Sequence, residues 1–184
     1  MNIGLIILLV VLVLVLLFTI GTYNTLVQLR NRVKDQWSQI DIQLKRRFDL
    51  IPNLVETVKG YMKHEKETLE GVVNARNAYN TASTPEEAMK ADGELTKAVS
   101  KLFALAEAYP DLKANDGFNK LQEELSETEN KISAARQFYS DTVLNYNNKI
   151  QMIPTNIVAA IFGFKAEKYF EATESERENV KVEF

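Results

Sequence analysis

Residues 3–20 read IGLIILLVVLVLVLLFTI. Only Gly4 and Thr19 interrupt a run of Leu, Ile, Val and Phe, which at about 1.5 Å rise per residue spans roughly 27 Å of hydrocarbon. Ile3 and Ile20 are read as the ends of a transmembrane helix, with the anchor assigned to residues 1–22. Residues 21–29 are still uncharged and the first formal side-chain charge is Arg30, so slack for tilt is available. A cleaved signal peptide would have a basic leader, an apolar run of about 7–15 residues and a small-x-small cleavage site. MNIGL has no Lys or Arg, the run is longer, and FTIGTYN lacks the site, so a retained anchor is expected. The run has no polar face for an interfacial helix, and Asn2 in place of Gly excludes N-myristoylation.

The flanks set an expected orientation. No Lys or Arg precedes the run, whereas Arg30, Arg32 and Lys34 follow within the range where positive charge favours the inside. This places the N-terminus outside and the rest of the chain in the cytoplasm, at the inner or plasma membrane; an outward-facing domain stays open because only three charges decide it.

Beyond the anchor, Leu26, Leu29, Val33, Trp37, Ile40, Leu44, Phe48, Ile51, Val55, Val58 and Met62 recur in steps of three or four, an amphipathic helix. Nothing between Tyr23 and Ile51 breaks helices, so the transmembrane helix is expected to continue into the first helix of a bundle. Pro52 removes a hydrogen bond and disfavours helix at Ile51. Either a kink or a tight turn fits; the stripe stays in phase across it, which favours a kink within one helix over 23–79. Thr84-Pro85-Glu86-Glu87 is a helix start, with Thr as N-cap, Pro at the first position and Glu three residues after the cap. That helix is expected over 85–108, the next over 116–151, and a short apolar one over 155–162 with Gly163 as its left-handed stop. The architecture expected is all-α, an antiparallel up-and-down helical bundle over 23–164, followed by a charged tail over 165–184 with Tyr169 and Phe170 as its docking points. VKVEF at 180–184 alternates like a strand but has no partner.

The chain has 184 residues, 22 basic and 25 acidic, and a formal charge of −3, so its balance gives no reason to expect nucleic acid. It has no cysteine, which excludes disulfides and thiolate sites. Di-iron bundles need paired Glu-x-x-His motifs, and the single His64 cannot supply them. His64-Glu65 begins like a zinc helix, yet Thr68 stands where the second His belongs, so His64 reads as a solvated surface residue. Glu123, Glu124, Glu127 and Glu129, near Lys120 and Lys131, read as an ordinary solvated face. The glycines are too scattered for a phosphate loop, and no serine sits in G-x-S-x-G. No enzyme activity, cofactor or metal is expected. Lys45-Arg46-Arg47, roughly 39 Å along a helix from Ile20, is too far from a bilayer to feel its charge and reads as an intramolecular ion-pair network, with a partner surface as the alternative.

Several segments together resemble the LemA family: Tyr23-Asn24 through Leu29-Arg30-Asn31, Trp37-Ser38-Gln39-Ile40-Asp41, Gln43-Leu44-Lys45-Arg46-Arg47, and Asp49-Leu50-Ile51-Pro52-Asn53-Leu54-Val55. Gly60-Tyr61, His64-Glu65, Ala134-Ala135-Arg136, Tyr139-Ser140, Tyr146-Asn147, Pro154-Thr155-Asn156 and Gly163-Phe164 extend the likeness over nearly the whole chain. The resemblance implies a single-pass membrane protein with a short outside N-terminus, a cytosolic up-and-down bundle of the four-helix kind and no established enzymatic activity. Some members are associated with membrane organisation in magnetic organelles, others with a membrane zinc protease. Arg46, Arg47, Asp49, Pro52 and Asn53 are the densest part of the motif. The expected role is a scaffold in the lipid bilayer that forms a homo-oligomer; the alternative is a tethered adaptor that presents the Pro154 to Phe164 apolar segment or the Lys45 to Arg47 face to another membrane protein, such as a membrane protease.

Overall fold

A computed structural model describes residues 2–169, and among these it is helical with no strand. Helix α1 runs from Ile3 to Lys59, passing through Pro52 without interruption. The single helix expected over 23–79 is in fact two. Gly60 is a costly helical residue, and after it the chain turns: the amides of Tyr61 and Met62 both donate to the Val58 carbonyl, at 3.0 and 2.9 Å, and Met62 is buried over the helix end. Helix α2 (Lys66–Asn80) follows, then α3 (Pro85–Ala106), the single turn α4 (Pro110–Lys113), α5 (Asp116–Gln151) and α6 (Thr155–Ile161). The turn α4 lies between the helices expected over 85–108 and 116–151; Pro110 opens it and Leu112 is buried.

The start of α3 follows the capping logic of its sequence. The Thr84 hydroxyl accepts from the Glu87 amide at 3.2 Å, and the Glu87 carboxylate accepts from the Ser83 amide at 2.7 Å.

Compactness divides the chain differently from boundaries at residues 22 and 164. One unit comprises the described residues up to Ser38 together with 136–169; the other is 39–135.

In the 39–135 unit, the α1 stripe supplies Ile40, Leu44, Ile51, Leu54 and Val58 to a core completed by Val72, Leu95, Leu102, Leu112 and Ile132. Helix α2 returns alongside α1, for the Tyr79 ring stacks on Phe48 at 4.0 Å and its hydroxyl donates to Asp41 at 2.9 Å. Helix α3 packs along α2. Helix α5 returns beside α3, with Phe118 against Phe103 edge-on at 5.9 Å.

In the other unit, Val33 of α1 packs with Val143 and Tyr146 of α5, joined by Leu29, Tyr139, Ile150 and Phe164. Helix α6 ends as the sequence predicts: Gly163 has φ +70°, and the amides of Phe164 and Gly163 reach back to the carbonyls of Ala159 and Ala160. Residues 165–168 then run along α5. Lys165 accepts at its carbonyl from Tyr146 at 2.9 Å, and Glu167 exchanges two bonds with the Asn147 amide, at 2.8 and 2.9 Å. The tail was expected to dock through Tyr169 and Phe170. Tyr169 is exposed and main-chain groups make the contacts, while Phe170 and the 180–184 segment lie outside the described residues.

Candidate functional site: a buried ion cluster and a proline-opened helix

Arg47 lies three residues after Leu44 and four before Ile51, so its side chain must enter the core of the 39–135 unit; it is 4% exposed. A guanidinium stays charged in a protein and cannot be buried without counter-charge. Asp92, 1% exposed, supplies it from α3, with its carboxylate 2.7 Å from Arg47 Nη1. Glu129 of α5, 39% exposed, closes from the other side at 2.5 Å. Three helices are thereby tied at one charged point.

One turn further on, Pro52 has no amide hydrogen, so the Phe48 carbonyl four residues earlier lacks its usual helical donor. Arg76 of α2 replaces it, its Nε donating to the Phe48 carbonyl at 3.2 Å. The Phe48 ring stacks on Tyr79 beside this bond. Burial, then the Asp41 carboxylate that accepts from its hydroxyl, pushes the Tyr79 pKa upward. Proline thus opens a hole in α1 that an arginine of the next helix fills.

The five motif residues do not converge on one site. Arg47 points inward, whereas Arg46, Asp49, Pro52 and Asn53 are exposed. Asp49 pairs loosely with Lys45 at 3.9 Å, and the Asn53 carbonyl accepts from the Thr57 hydroxyl at 2.8 Å. The intramolecular reading of Lys45 to Arg47 therefore holds for Arg47 and, weakly, for Lys45. The solvated reading of the acidic run on α5 holds for Glu127, whose carboxyl the neighbouring Lys131 ammonium keeps below the usual range. It fails for Glu129, which faces Arg47. His64 is exposed in the turn between α1 and α2. Ile3 opens α1, Ile20 lies within it, and none of residues 3–20 is buried.

Sequence reading missed Asp92 and Arg76. Asp92 sits among Ala88, Ala91, Leu95 and Val99, the inward stripe of α3, and an acid on such a stripe signals a buried cation opposite. For Arg76 the signal is Pro52 itself, since a proline inside a helix leaves a carbonyl that needs a donor. A groove of about 390 Å³ also opens between α1 and α2, lined by Val55, Met62, Leu69 and Val73 with Lys59 and Lys63 among its polar residues.

These features define a class: all-helical chains with a long apolar N-terminal helix and a charge cluster turned into the helical core. The LemA family model matches residues 36–184, and the chain belongs to the LemA family. It is similar to Protein LemA of Metamycoplasma hominis, 28% identical over 165 residues, a match covering 88% of this chain and 74% of that protein. It is also similar to Magnetosome protein MamQ 2 of Paramagnetospirillum magneticum, 27% identical over 175 residues and covering 81% of this chain. Magnetosome protein MamQ of Magnetospirillum gryphiswaldense is 24% identical over 174 residues, covering 80% of this chain. The chain spans 64% of the length of each of these two magnetosome proteins.

Proposed function

We propose that this chain is a non-enzymatic scaffold, anchored by residues 3–20 in the inner or plasma membrane, whose other helices form an up-and-down four-helix bundle on the cytoplasmic side and self-associate there. The observation that carries the anchor is that residues 3–20 are long enough to cross a bilayer yet none is buried in the protein. Sixteen Leu, Ile, Val and Phe residues in that run make insertion favourable by about 5–10 kcal/mol, at about 0.3–0.6 each. Arg30, Arg32 and Lys34 support the cytoplasmic orientation. Buried charges committed to one another support a structural use of Arg47, Asp92 and Glu129 rather than a catalytic one. Similarity to proteins named for the magnetosome supports a role in organising membrane. Native mass spectrometry of the full chain in lipid nanodiscs, paired with crosslinking in vesicles, tests the scaffold: defined oligomers are expected, and a strictly monomeric species at membrane-like concentration overturns it.

The groove between α1 and α2 favours a second reading, a tethered adaptor, because apolar walls with lysines suit an acidic amphipathic segment of a partner membrane protein. Capture of the same membrane partners by the wild-type chain and by a Lys59→Glu, Lys63→Glu variant would sink it.

A further inference from the structure

We propose that the corner between α5 and α6 is a second membrane contact, inserting its apolar side chains into the bilayer interface beside the anchor. This rests on the membrane-anchor reading of residues 3–20. Between Lys149 and Lys165 the sequence IQMIPTNIVAAIFGF carries no charge. Its helix is two-faced. Thr155, Val158 and Ala159 are buried, whereas Ile157 and Ile161, one turn apart, face outward at 59% and 70% exposure, and Ile153, in the turn before the helix, is 83% exposed. Met152 and Phe162 are exposed as well. In water such a concentration of large apolar groups is costly, at about 25 cal/mol for each Å².

Position decides what covers it. The Phe162 ring lies 4.9 Å from the ring of Tyr23, and Phe164 lies 5.7 Å from it. Tyr23 follows Ile20, the end of the apolar run, by three residues, about 4.5 Å of helix rise. The corner is therefore held at the level where a helix leaves the hydrocarbon, the depth at which aromatic residues collect at membrane interfaces. Further down, the Arg30 guanidinium stands 5.2 Å over the Phe164 ring, on the side away from the apolar run. Tyr and Phe toward the anchor with Arg below them match the order of an interface from hydrocarbon to headgroup, so lipid is the occupant that the surroundings select.

The chain has no cysteine, so single labels can be placed at will. Full-length Ile157→Cys and Ile161→Cys, each carrying the environment-sensitive fluorophore NBD, are reconstituted in phosphatidylcholine and phosphatidylglycerol vesicles whose lipids bear a nitroxide either near the headgroup or deep in the acyl chain. Leu12→Cys reports the anchor, and Asn77→Cys, exposed on α2, gives the aqueous baseline. Both corner probes are expected to shift to the blue and lose most of their emission to the shallow nitroxide, with Leu12 quenched by the deep one. If Leu12 is quenched by the deep nitroxide while the corner probes match Asn77, the inference is overturned and the anchor stands. Corner probes that shift to the blue without quenching by lipid would mean that a second copy covers the face, which also overturns it. If Leu12 escapes the deep nitroxide, the anchor reading falls and this one with it.

Discussion

Replacing Arg47 by Met keeps most of the side-chain volume and removes the charge from the centre of the 39–135 unit. Breaking one side of a buried ion pair costs about 3–5 kcal/mol, because the remaining charge has lost its counter-ion in a low-dielectric place. The two arms of this cluster are unequal. Glu129 keeps 39% of its side chain exposed, although the Oε2 that faces Arg47 is itself buried, and its share is discounted to about 0.2–1 kcal/mol. Asp92, at 1% exposure, carries the larger part. The expected loss is taken at the lower end of that range, about 3 kcal/mol. With a urea slope of about 2 kcal/mol/M, the unfolding midpoint should fall by about 1.5 M. The assay is a urea titration of the full chain in mild detergent followed by far-ultraviolet circular dichroism. Adding Asp92→Leu to Arg47→Met removes both buried charges together and should recover most of the loss, since an apolar replacement of a whole buried pair is often neutral or better. A fall of less than about 0.5 M for the single variant, or a double variant no more stable than the single, refutes the claim that this pair ties the helices.

Arg76→Met leaves the Phe48 carbonyl without its donor and should cost about 1–3 kcal/mol; in the Pro52→Ala background, where the helix can supply its own amide, the penalty should shrink, and equal penalties in both backgrounds would separate Arg76 from the proline. Folding holds the Tyr79 hydroxyl protonated above its ordinary pKa of 10.0, so the unfolded chain releases that proton first. Its contribution is complete below about pH 10 and is lost as pH rises toward the higher folded-state value. Tyr79→Phe should therefore flatten the alkaline decline of stability, and an unchanged slope would count against the Asp41 contact. Asn147→Ala removes both bonds to Glu167 and should lower the local stability of residues 165–168 by about 1–3 kcal/mol, read as faster amide exchange at Glu167 with the exchange of α5 core amides unchanged.

Much of the fold was legible because helices declare themselves locally. The step of three or four from Leu26 to Val58, the Thr84-Pro85 start and the Gly163 stop each depend on neighbours within one or two turns, and each appears where the sequence puts it. The turn at Gly60 was hidden by an accident of phase. Met62 continues the stripe of α1 while belonging to the turn that ends it, so periodicity alone could not separate one helix from two. A glycine followed by the polar run Lys63 to Glu67 was the available sign.

By itself the sequence determined the apolar run from Ile3 to Ile20, the helical class, and which face of α1 turns inward, since all three are properties of residues close together in the chain. Only the tertiary structure decided which faces meet. Arg47 needed a counter-charge, but it took packing to select Asp92, 45 residues away. Pro52 required a donor, and the return of α2 supplied Arg76. The apolar stretch from Ile153 to Phe162 could have been core; the ring of Phe162 beside Tyr23 set it near the end of the apolar run with Ile157 and Ile161 turned outward. Periodicity fixes the direction of a side chain relative to its own helix axis, and the partner it finds depends on how the helices are folded back.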